Sequence, residues 1–247
     1  MNFFSLFKRK IIYNFKNKIL IDHDKVDYKT LDDLFHFYGS DKANIFKKNN
    51  SNGHAYSKFY EKKLENNKNQ KINILEIGSY AGASAASFVK FLPGSKVFCF
   101  DINISNFEFK SEKIFVFGVD INNKKKVFTN LKKIYDEHQF EKFDLIIDDG
   151  SHNLSDILIG LKYFFDHLKD KGLYVIEDFK HPNYYNYNRN IDHILIDEVL
   201  ENLKKKKKFP SEIFDELFQQ KIMNTIKTIE IFKGNLENSD IAFLEKN

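Results

Sequence analysis

Four acidic residues and one histidine directly follow two apolar stretches of this 247-residue sequence. They are Asp148, Asp149, His152, Glu177 and Asp178. Gathering that much negative charge is costly unless a cation is bound, and several carboxylate oxygens suit Mg²⁺. The pattern predicts a divalent metal site beside an imidazole, a setting suited to removing a proton from a hydroxyl group. Two alternatives stay open: Asp148 or Asp149 caps the following helix, and Glu177 and Asp178 form a solvated turn.

A second group of residues follows the first apolar stretch and begins a candidate helix. Its members are Glu76, Gly78, Ser79, Tyr80, Gly82 and Ser84. Glycines let the backbone approach a ligand closely, and the first N–H groups of a helix attract polar ligand atoms. Asp101 ends the next apolar stretch, about 20 residues further on, where nucleoside-binding α/β folds place an acidic side chain on the ribose. A dinucleotide fingerprint requires glycine where this chain has Tyr80, so the loop indicates a nucleoside rather than a pyrophosphate.

Strands must position these residues, because apolar stretches of strand length alternate with stretches long enough for helices. The strands are predicted at 72–77, 97–100, 114–119, 143–147 and 173–176, followed by 226–232 and 241–244. Leu145, Ile146 and Ile147 are consecutive apolar residues, which is typical of a parallel strand covered by helices on both faces. A polar turn separates the last two strands and predicts an antiparallel hairpin. The sequence therefore predicts a doubly wound α/β fold with a mostly parallel, seven-stranded, Rossmann-like sheet.

The first 70 residues precede this sheet and carry apolar residues at helical spacing, at 31–38 and 56–64. We predict a helical N-terminal cap over residues 1–70 and the α/β domain over 71–247. The first ten residues contain three phenylalanines and the basic triplet 8–10, but no apolar run long enough to cross a membrane follows. This segment is interpreted as an amphipathic helix, with contact to a membrane surface as the alternative.

The charge balance alone does not indicate a nucleic-acid partner, and none is expected. The 39 Lys and Arg residues exceed the 35 Asp and Glu residues by only four, and the two signs are interleaved, whereas a nucleic-acid surface is a clustered basic patch. The lysine run at 204–208 is interpreted as a solvated helix end. Cys99 is the single cysteine, so an intrachain disulfide is excluded and a cytoplasmic location is expected. The sequence leaves a homo-oligomer open.

Two segments around the acidic residues resemble the metal-dependent sugar O-methyltransferases of macrolide tailoring, of the mycinamicin and macrocin type. They are residues 147–152, Ile-Asp-Asp-Gly-Ser-His, and residues 173–178, Leu-Tyr-Val-Ile-Glu-Asp. Upstream residues are similar to the same family: 38–42, His54, Tyr56, Tyr60 and Glu61. The resemblance covers residues 36–180. It implies the class I methyltransferase fold, which ends in an antiparallel hairpin, and S-adenosylmethionine (SAM) as the methyl donor.

The resemblance also implies a role for each candidate residue. SAM is bound by Glu76, Gly78, Ser79, Tyr80, Gly82, Ser84, Asp101, Asp120 and Asp148. Asp120 is placed near the adenine amino group, with a helix cap as its alternative. The divalent metal, Mg²⁺ or Mn²⁺, is bound by Asp149, Glu177 and Asp178. His152 is the general base, with a structural histidine as its alternative, and the lid or acceptor loop contains His54, Tyr56 and Tyr184, for which packing and ordinary surface roles stay open.

These roles imply methyl transfer from SAM to a sugar hydroxyl, in a nucleotide-activated sugar, a surface glycan or a glycosylated natural product. A vicinal diol is favoured, because two adjacent hydroxyls could chelate the metal and orient one oxygen toward the methyl group. Two other functions remain open. One is a catechol, phenol or amine methyltransferase that uses the same metal platform. The other is a nucleoside-binding module without catalysis, against which the acidic residues and His152 argue.

Overall fold

The chain divides into two compact units. They are Met1–Asn130 with Gly234–Glu237, and Leu131–Lys233 with Asn238–Asn247. The structure is a computed structural model that describes residues 3–25, 27–180 and 192–247. The two units do not divide the chain at residue 70, so the separation of a 1–70 cap from a 71–247 domain stays a prediction.

Three α-helices lie among the described residues of the first 70. They are α1 (Phe3–Phe15), α2 (Leu31–Tyr38) and α3 (Ser57–Leu64). The Thr30 hydroxyl begins α2 by accepting a hydrogen bond of 3.1 Å from the Asp33 N–H, and Gly39 ends it in the left-handed conformation. The helices predicted at 31–38 and 56–64 are confirmed. Three short strands of two residues each, which the sequence did not predict, accompany them: β1 (Ile19–Leu20), β2 (Ile45–Phe46) and β3 (Ser51–Asn52).

The remainder alternates strands and helices before it ends in a hairpin. The elements are β4 (Asn73–Ile77), α4 (Ala83–Phe91), β5 (Lys96–Asp101), β6 (Phe109–Lys110), β7 (Ile114–Gly118), α5 (Lys124–His138), β8 (Phe143–Asp148), α6 (Leu154–Phe164), β9 (Leu168–Glu177), α7 (Ile196–Lys204), α8 (Glu216–Thr225), β10 (Ile226–Lys233) and β11 (Asp240–Lys246). All seven strands predicted from the apolar stretches are present. Only their ends differ, most of all in β9, which begins five residues before the predicted start at 173.

Seven strands form one sheet in the order β10-β11-β9-β8-β4-β5-β7. In the first unit β5 pairs in parallel with both β4 and β7. In the second unit β8 and β9 are parallel, whereas β11 is antiparallel to both β9 and β10. Leu145, Ile146 and Ile147 of β8 are all buried, as expected for a strand that is covered on both faces. The predicted mostly parallel sheet with a C-terminal antiparallel hairpin is confirmed.

The sequence also makes predictions about the end of α7 and the hydrophobicity of the helices. Lys204 is the last residue of α7, and all five lysines of the run at 204–208 are exposed, as expected for a solvated helix end. Of the helices that the structure describes, none is both long and apolar enough to cross a bilayer.

Gly82, which precedes α4, has both a conformational and a steric reason to be glycine. Its φ is +81°, and a Cβ atom there would lie 2.3 Å from the Phe107 ring. We expect Gly82→Ala to lower the free energy of unfolding by about 2–5 kcal/mol, because about 1–2 kcal/mol of left-handed strain adds to about 1–3 kcal/mol of overpacking. Urea denaturation measures this loss.

Gly39 provides the matched control, since its φ is +82° and a Cβ atom there would meet nothing within 4 Å. Gly39→Ala should therefore show only the strain, about 1–2 kcal/mol. Equal losses in the two variants would mean that the Phe107 contact adds nothing.

Candidate functional site

The loop after β4 is shaped by two glycines in the left-handed region. Gly78 has a φ of +85°, and its N–H donates a hydrogen bond of 2.8 Å to the Phe100 carbonyl of β5. Gly82 is the N-cap residue of α4, and without a side chain it cannot cap the first N–H groups of that helix. Tyr80 lies between them with a φ of +42° and is 61% exposed. The first N–H groups of α4 are therefore left without a side-chain cap from Gly82, which is the arrangement that attracts polar ligand atoms to a helix N-terminus.

The Asp101 carboxylate is fixed against this loop at the end of β5. Its Oδ2 accepts a hydrogen bond of 2.7 Å from the Tyr80 N–H, and its Oδ1 accepts one of 2.5 Å from the Asn103 N–H. Each carboxylate oxygen accepts more than one hydrogen bond. Asp101 can therefore still accept the two hydroxyl protons of a ribose while the loop holds its orientation.

The other acidic candidates of the first unit are Glu76 and Asp120. Glu76 is buried in β4, and its carboxylate accepts a hydrogen bond from the Ser84 hydroxyl in the first turn of α4. The Ser79 hydroxyl donates to the Glu76 carbonyl at 3.3 Å. Asp120 Oδ1 accepts a hydrogen bond of 3.1 Å from the Asn122 N–H. This bond stabilises the turn before α5. The helix cap that the sequence left open for Asp120 is not what the structure shows, since Asn123 precedes α5 and its Oδ1 accepts a hydrogen bond of 3.1 Å from the Lys126 N–H, so the adenine-binding role of Asp120 stays a prediction.

Asp149, His152 and Asp178 come together in the second unit, just after β8 and β9 end. One potential ligand atom from each lies within 4.8 Å of the other two. His152 Nε2 is 3.9 Å from Asp149 Oδ1 and 4.0 Å from Asp178 Oδ2. Both separations exceed hydrogen-bond length. The carboxyl ends of two adjacent parallel strands thus bring an imidazole between two carboxylates.

The donor set of this cluster fits a divalent cation. Mg²⁺ binds oxygen at about 2.0–2.1 Å, so two ligand atoms on opposite sides of the ion are about 4.2 Å apart. The separations of 3.9 and 4.0 Å from His152 to the two carboxylates fall within that span. Carboxylates suit Mg²⁺ and Mn²⁺, whereas an imidazole ligand favours softer transition metals. Asp149 and Asp178 are therefore the residues that would hold a hard cation, and His152 can serve as a ligand or as a base beside it.

Asp148 and Glu177 end β8 and β9 and are both buried. Burial raises the pKa of Asp148 to about 8, and the charge of Asp149 acts in the same direction. Glu177 is adjacent to Asp178 in the chain but is not one of the three residues in the cluster, so its role as a metal ligand stays a prediction.

The structural alternatives for the acidic residues are not what the structure shows. The N-cap of α6 is Asn153, whose side chain accepts a hydrogen bond from the Ser155 N–H, rather than Asp148 or Asp149. Glu177 and Asp178 are buried instead of forming a solvated turn. The acidic residues at the ends of β8 and β9 therefore need another explanation than helix capping.

Two members of the cluster have strained backbones. The φ angles of His152 and Asp178 are +55° and +49°, in the left-handed region that costs a residue with a side chain about 1–3 kcal/mol. Such strain persists only where surrounding structure imposes it, and it concentrates at functional sites. The surrounding structure therefore holds both residues in this conformation.

The candidate lid residues occupy different environments. His54 Nε2 is 3.9 Å from Asp41 Oδ2, and the His54 carbonyl accepts a hydrogen bond of 3.0 Å from the Asn235 N–H of the hairpin turn. Tyr56 is buried, with its ring centroid 5.2 Å from that of His54. Tyr184 lies outside the described residues. His54 is thus half of a polar pair, while Tyr56 belongs to the packed interior.

Sequence reasoning assigned no role to Lys42, although its environment is unusual. Lys42 is only 1% exposed, and lysine is almost never fully buried unless its charge is paired. Its N–H donates a hydrogen bond of 3.3 Å to the Ser40 hydroxyl. The signal that could have identified it is its place in the segment 38–42, which the sequence shares with the sugar O-methyltransferases.

Comparison with known proteins identifies relatives of one functional type. The mycinamicin VI 2''-O-methyltransferase of Micromonospora griseorubida is 27% identical over 132 residues, which cover 51% of this chain and 31% of that protein. The demethylmacrocin O-methyltransferase of Streptomyces fradiae is 26% identical over 132 residues, covering 51% and 32%. The chain is similar in sequence to these O-methyltransferases over about half of its own length. It spans about a third of the length of each relative, and no protein-family model matches it.

Solved structures of methyltransferases share the fold. MycE methyltransferase from the mycinamycin biosynthetic pathway, in complex with Mg, SAH and mycinamycin VI, superposes with a TM-score of 0.68 and 19% identity, covering 90% of this chain and 55% of that one. A ribosomal RNA methyltransferase from Plasmodium falciparum superposes with a TM-score of 0.50 and 14% identity, covering 78% and 95%. The chain therefore has the class I methyltransferase fold. A fold shared by sugar and RNA enzymes does not select the acceptor.

Proposed function

We propose that this chain is a SAM-dependent O-methyltransferase that uses a divalent metal, Mg²⁺ or Mn²⁺, to methylate a sugar hydroxyl. The observation that carries the proposal is the cluster of Asp149, His152 and Asp178 after two parallel strands. The relatives support O-methyl transfer, since they are named as mycinamicin VI 2''-O-methyltransferase and demethylmacrocin O-methyltransferase. The acceptor hydroxyl belongs to a nucleotide-activated sugar, a surface glycan or a glycosylated natural product.

His152 is the residue that moves the proton. A sugar hydroxyl is a poor nucleophile until its proton leaves, and a divalent cation supplies Lewis acidity that lowers its pKa. His152 Nε2 takes that proton, the hydroxyl oxygen forms the new bond to the methyl carbon, and the S–CH₃ electron pair stays on sulfur. Asp149 and Asp178, whose carboxylates lie 3.9 and 4.0 Å from His152 Nε2, are the residues that would hold the cation beside it. The side chain of His152 is partly exposed, so the proton can pass on to water.

The loop after β4 and Asp101 bind SAM in this proposal. Gly78 and Gly82 let the backbone approach the methionine portion, and the Asp101 carboxylate accepts the ribose hydroxyl protons. Glu76, Ser79, Tyr80, Ser84, Asp120 and Asp148 complete the predicted cofactor site. Glu177 is proposed as a further metal ligand, and His54, Tyr56 and Tyr184 as lid or acceptor-loop residues.

We expect Asp101→Asn to weaken SAM binding by about 10- to 100-fold, because hydrogen bonds to a charged group are worth about 1.5–3 kcal/mol. Isothermal titration with SAM measures the dissociation constant. Glu112→Gln is the control, because Glu112 is an exposed acidic residue of the same unit, and it should bind like the wild type. Unchanged affinity in Asp101→Asn would remove Asp101 from the ribose site.

One assay tests the function directly. The protein is incubated with SAM labelled in its methyl group, with Mg²⁺ or Mn²⁺, and with nucleotide sugars, extracted glycans, glycosylated macrolides and catechols as separate acceptors. Label transfer to a sugar that chelation abolishes is the expected result. Transfer to catechols alone makes the chain a small-molecule phenol methyltransferase, and SAM binding without transfer to any acceptor makes it a binding module.

We also propose that the enzyme acts in the cytoplasm. The single cysteine, Cys99, has a free thiol, which fits a reducing compartment. The sequence left a homo-oligomer open, and size-exclusion chromatography with light scattering measures the oligomeric state.

A further inference from the structure

Helix α1 is held to the first unit by one face. The Arg9 guanidinium donates a hydrogen bond of 2.8 Å to the Ile102 carbonyl, and the Lys16 ammonium donates one of 2.9 Å to the Asn106 carbonyl. The Tyr13 ring meets the Phe107 ring edge-on, with 6.4 Å between the centroids. Arg9 and Tyr13 are four residues apart, so they lie on one face of α1, and Lys16 follows directly after the helix ends at Phe15. That face is fixed by polar and aromatic contacts.

The opposite face of α1 carries an exposed apolar ridge. Phe7, Ile11 and Phe15 are 56%, 42% and 85% exposed. At about 100° per residue, their positions lie on the side of the helix opposite Arg9. Large apolar side chains arranged contiguously on a surface mark an interaction site, whereas scattered ones need no explanation. The ridge formed by Phe7, Ile11 and Phe15 is therefore available for an apolar environment outside this unit.

Basic residues flank the ridge. Lys8 and Lys10 are both exposed and project on either side of Phe7 and Ile11 by the same helical geometry. The sequence of α1, FFSLFKRKIIYNF, contains three basic residues and no acidic one. Long lysine side chains can place their ammonium groups at a charged boundary while their methylene groups cover apolar surface. The charge of this face is complementary to an anionic surface.

We propose that α1 binds the surface of an anionic lipid bilayer and lies in its interface. The Phe7–Ile11–Phe15 ridge enters the boundary between headgroups and acyl chains, and Lys8 and Lys10 meet the lipid phosphates. The thirteen residues of α1 are about 20 Å long, which suits a helix parallel to the membrane plane and is too short to cross it. The inference goes beyond the proposed function, because it assigns to α1 a binding partner that methyl transfer itself does not require.

A second copy of the chain is the main competing occupant of this ridge. Packing α1 against another α1 would bring like charges together, because each helix carries only basic residues around its apolar ridge. Like charges at close range oppose association. The charge of α1 therefore favours anionic lipid over self-association.

The test is vesicle co-sedimentation of the full chain. We expect binding to vesicles of phosphatidylcholine mixed with phosphatidylglycerol, little binding to phosphatidylcholine alone, and release as added salt shortens the Debye length. The combined variant Phe7→Gln, Ile11→Gln, Phe15→Gln should bind at least about tenfold more weakly. Replacing Lys8 and Lys10 by glutamine should weaken binding about fivefold per lysine.

Leu217→Gln is the matched control, because Leu217 is 79% exposed on α8 in the second unit, and its vesicle binding should equal that of the wild type. Thermal unfolding shows whether each variant is folded, and substitutions at exposed positions should leave Tm unchanged. Absence of binding to anionic vesicles, equal binding to neutral vesicles, or full binding by the triple variant would overturn the proposal. A dimer in sedimentation velocity that the triple variant dissociates, with no vesicle binding, would assign the ridge to a second copy instead.

Discussion

Asp149→Asn should reduce methyl transfer by about 10³-fold or more. The substitution keeps the size of the side chain but removes a charged oxygen ligand from the cluster with His152 and Asp178. A metal that polarises the acceptor is worth several kcal/mol of transition-state stabilisation, and each 1.36 kcal/mol is about tenfold in rate. Transfer of labelled methyl groups measures the rate, and titration with Mn²⁺ followed by electron paramagnetic resonance measures metal affinity independently. Both should fall together.

Asp170→Asn is the control for Asp149→Asn. Asp170 is an exposed carboxylate of β9, 3.8 Å from the Lys246 ammonium, and β9 carries it away from the end that leads to Asp178. Its variant should keep both the rate and the Mn²⁺ affinity of the wild type. If Asp149→Asn transferred methyl groups at the wild-type rate, or if exhaustive chelation left the wild type fully active, the reaction would not depend on a metal at this cluster.

His152→Ala should lower the turnover number by about 10²-fold or more while SAM affinity stays unchanged. The loss follows from removing the group that accepts the hydroxyl proton, since a positioned general base contributes about 10²–10⁴ to a rate. The effect should fall on kcat rather than on KM for the acceptor, and added imidazole should restore part of the rate. Isothermal titration with SAM provides the second readout.

Metal affinity decides between the two roles that the geometry allows for His152. If His152 is a base beside the metal, His152→Ala should keep nearly normal Mn²⁺ affinity. If His152 is a metal ligand, the variant should lose both Mn²⁺ affinity and the methyl-transfer rate. Mn²⁺ affinity should be measured in Glu177→Gln as well. The sequence predicted Glu177 as the third metal ligand, whereas the third residue of the cluster in the structure is His152. His193→Ala is the control, as His193 is an exposed histidine paired with Glu212 at 3.2 Å. Normal turnover in His152→Ala would exclude the histidine from the reaction.

The strands could be predicted because their signal is local. Leu145, Ile146 and Ile147 are apolar on successive positions, and a strand buried on both faces is the structure that accommodates such a run. The candidate residues followed from the strand ends, since the residues after parallel strands converge at one edge of a sheet. The sequence alone therefore placed Asp149 and Asp178 together, although 29 positions separate them.

The features that could not be predicted depend on contacts between distant residues. The two-residue strand β1 pairs with β6, and the pairing joins Ile19 to Phe109, which no periodicity in either segment indicates. The burial of Lys42 contradicts the usual preference of lysine for solvent. The sequence offered Asp148 or Asp149 as the alternative N-cap of α6, whereas the structure has Asn153 there. Asparagine and aspartate are equally good N-cap residues, so residue type alone could not decide between them.

The left-handed backbone conformations of His152 and Asp178 create a trade-off between thermal stability and activity. Glycine at either position would relieve the backbone strain, because glycine adopts positive φ without a steric penalty. It would also delete an imidazole or a carboxylate from the cluster. Selection of a mutant library for thermal stability alone would therefore enrich glycine at positions 152 and 178. The most stable variants of that library would lack catalytic activity.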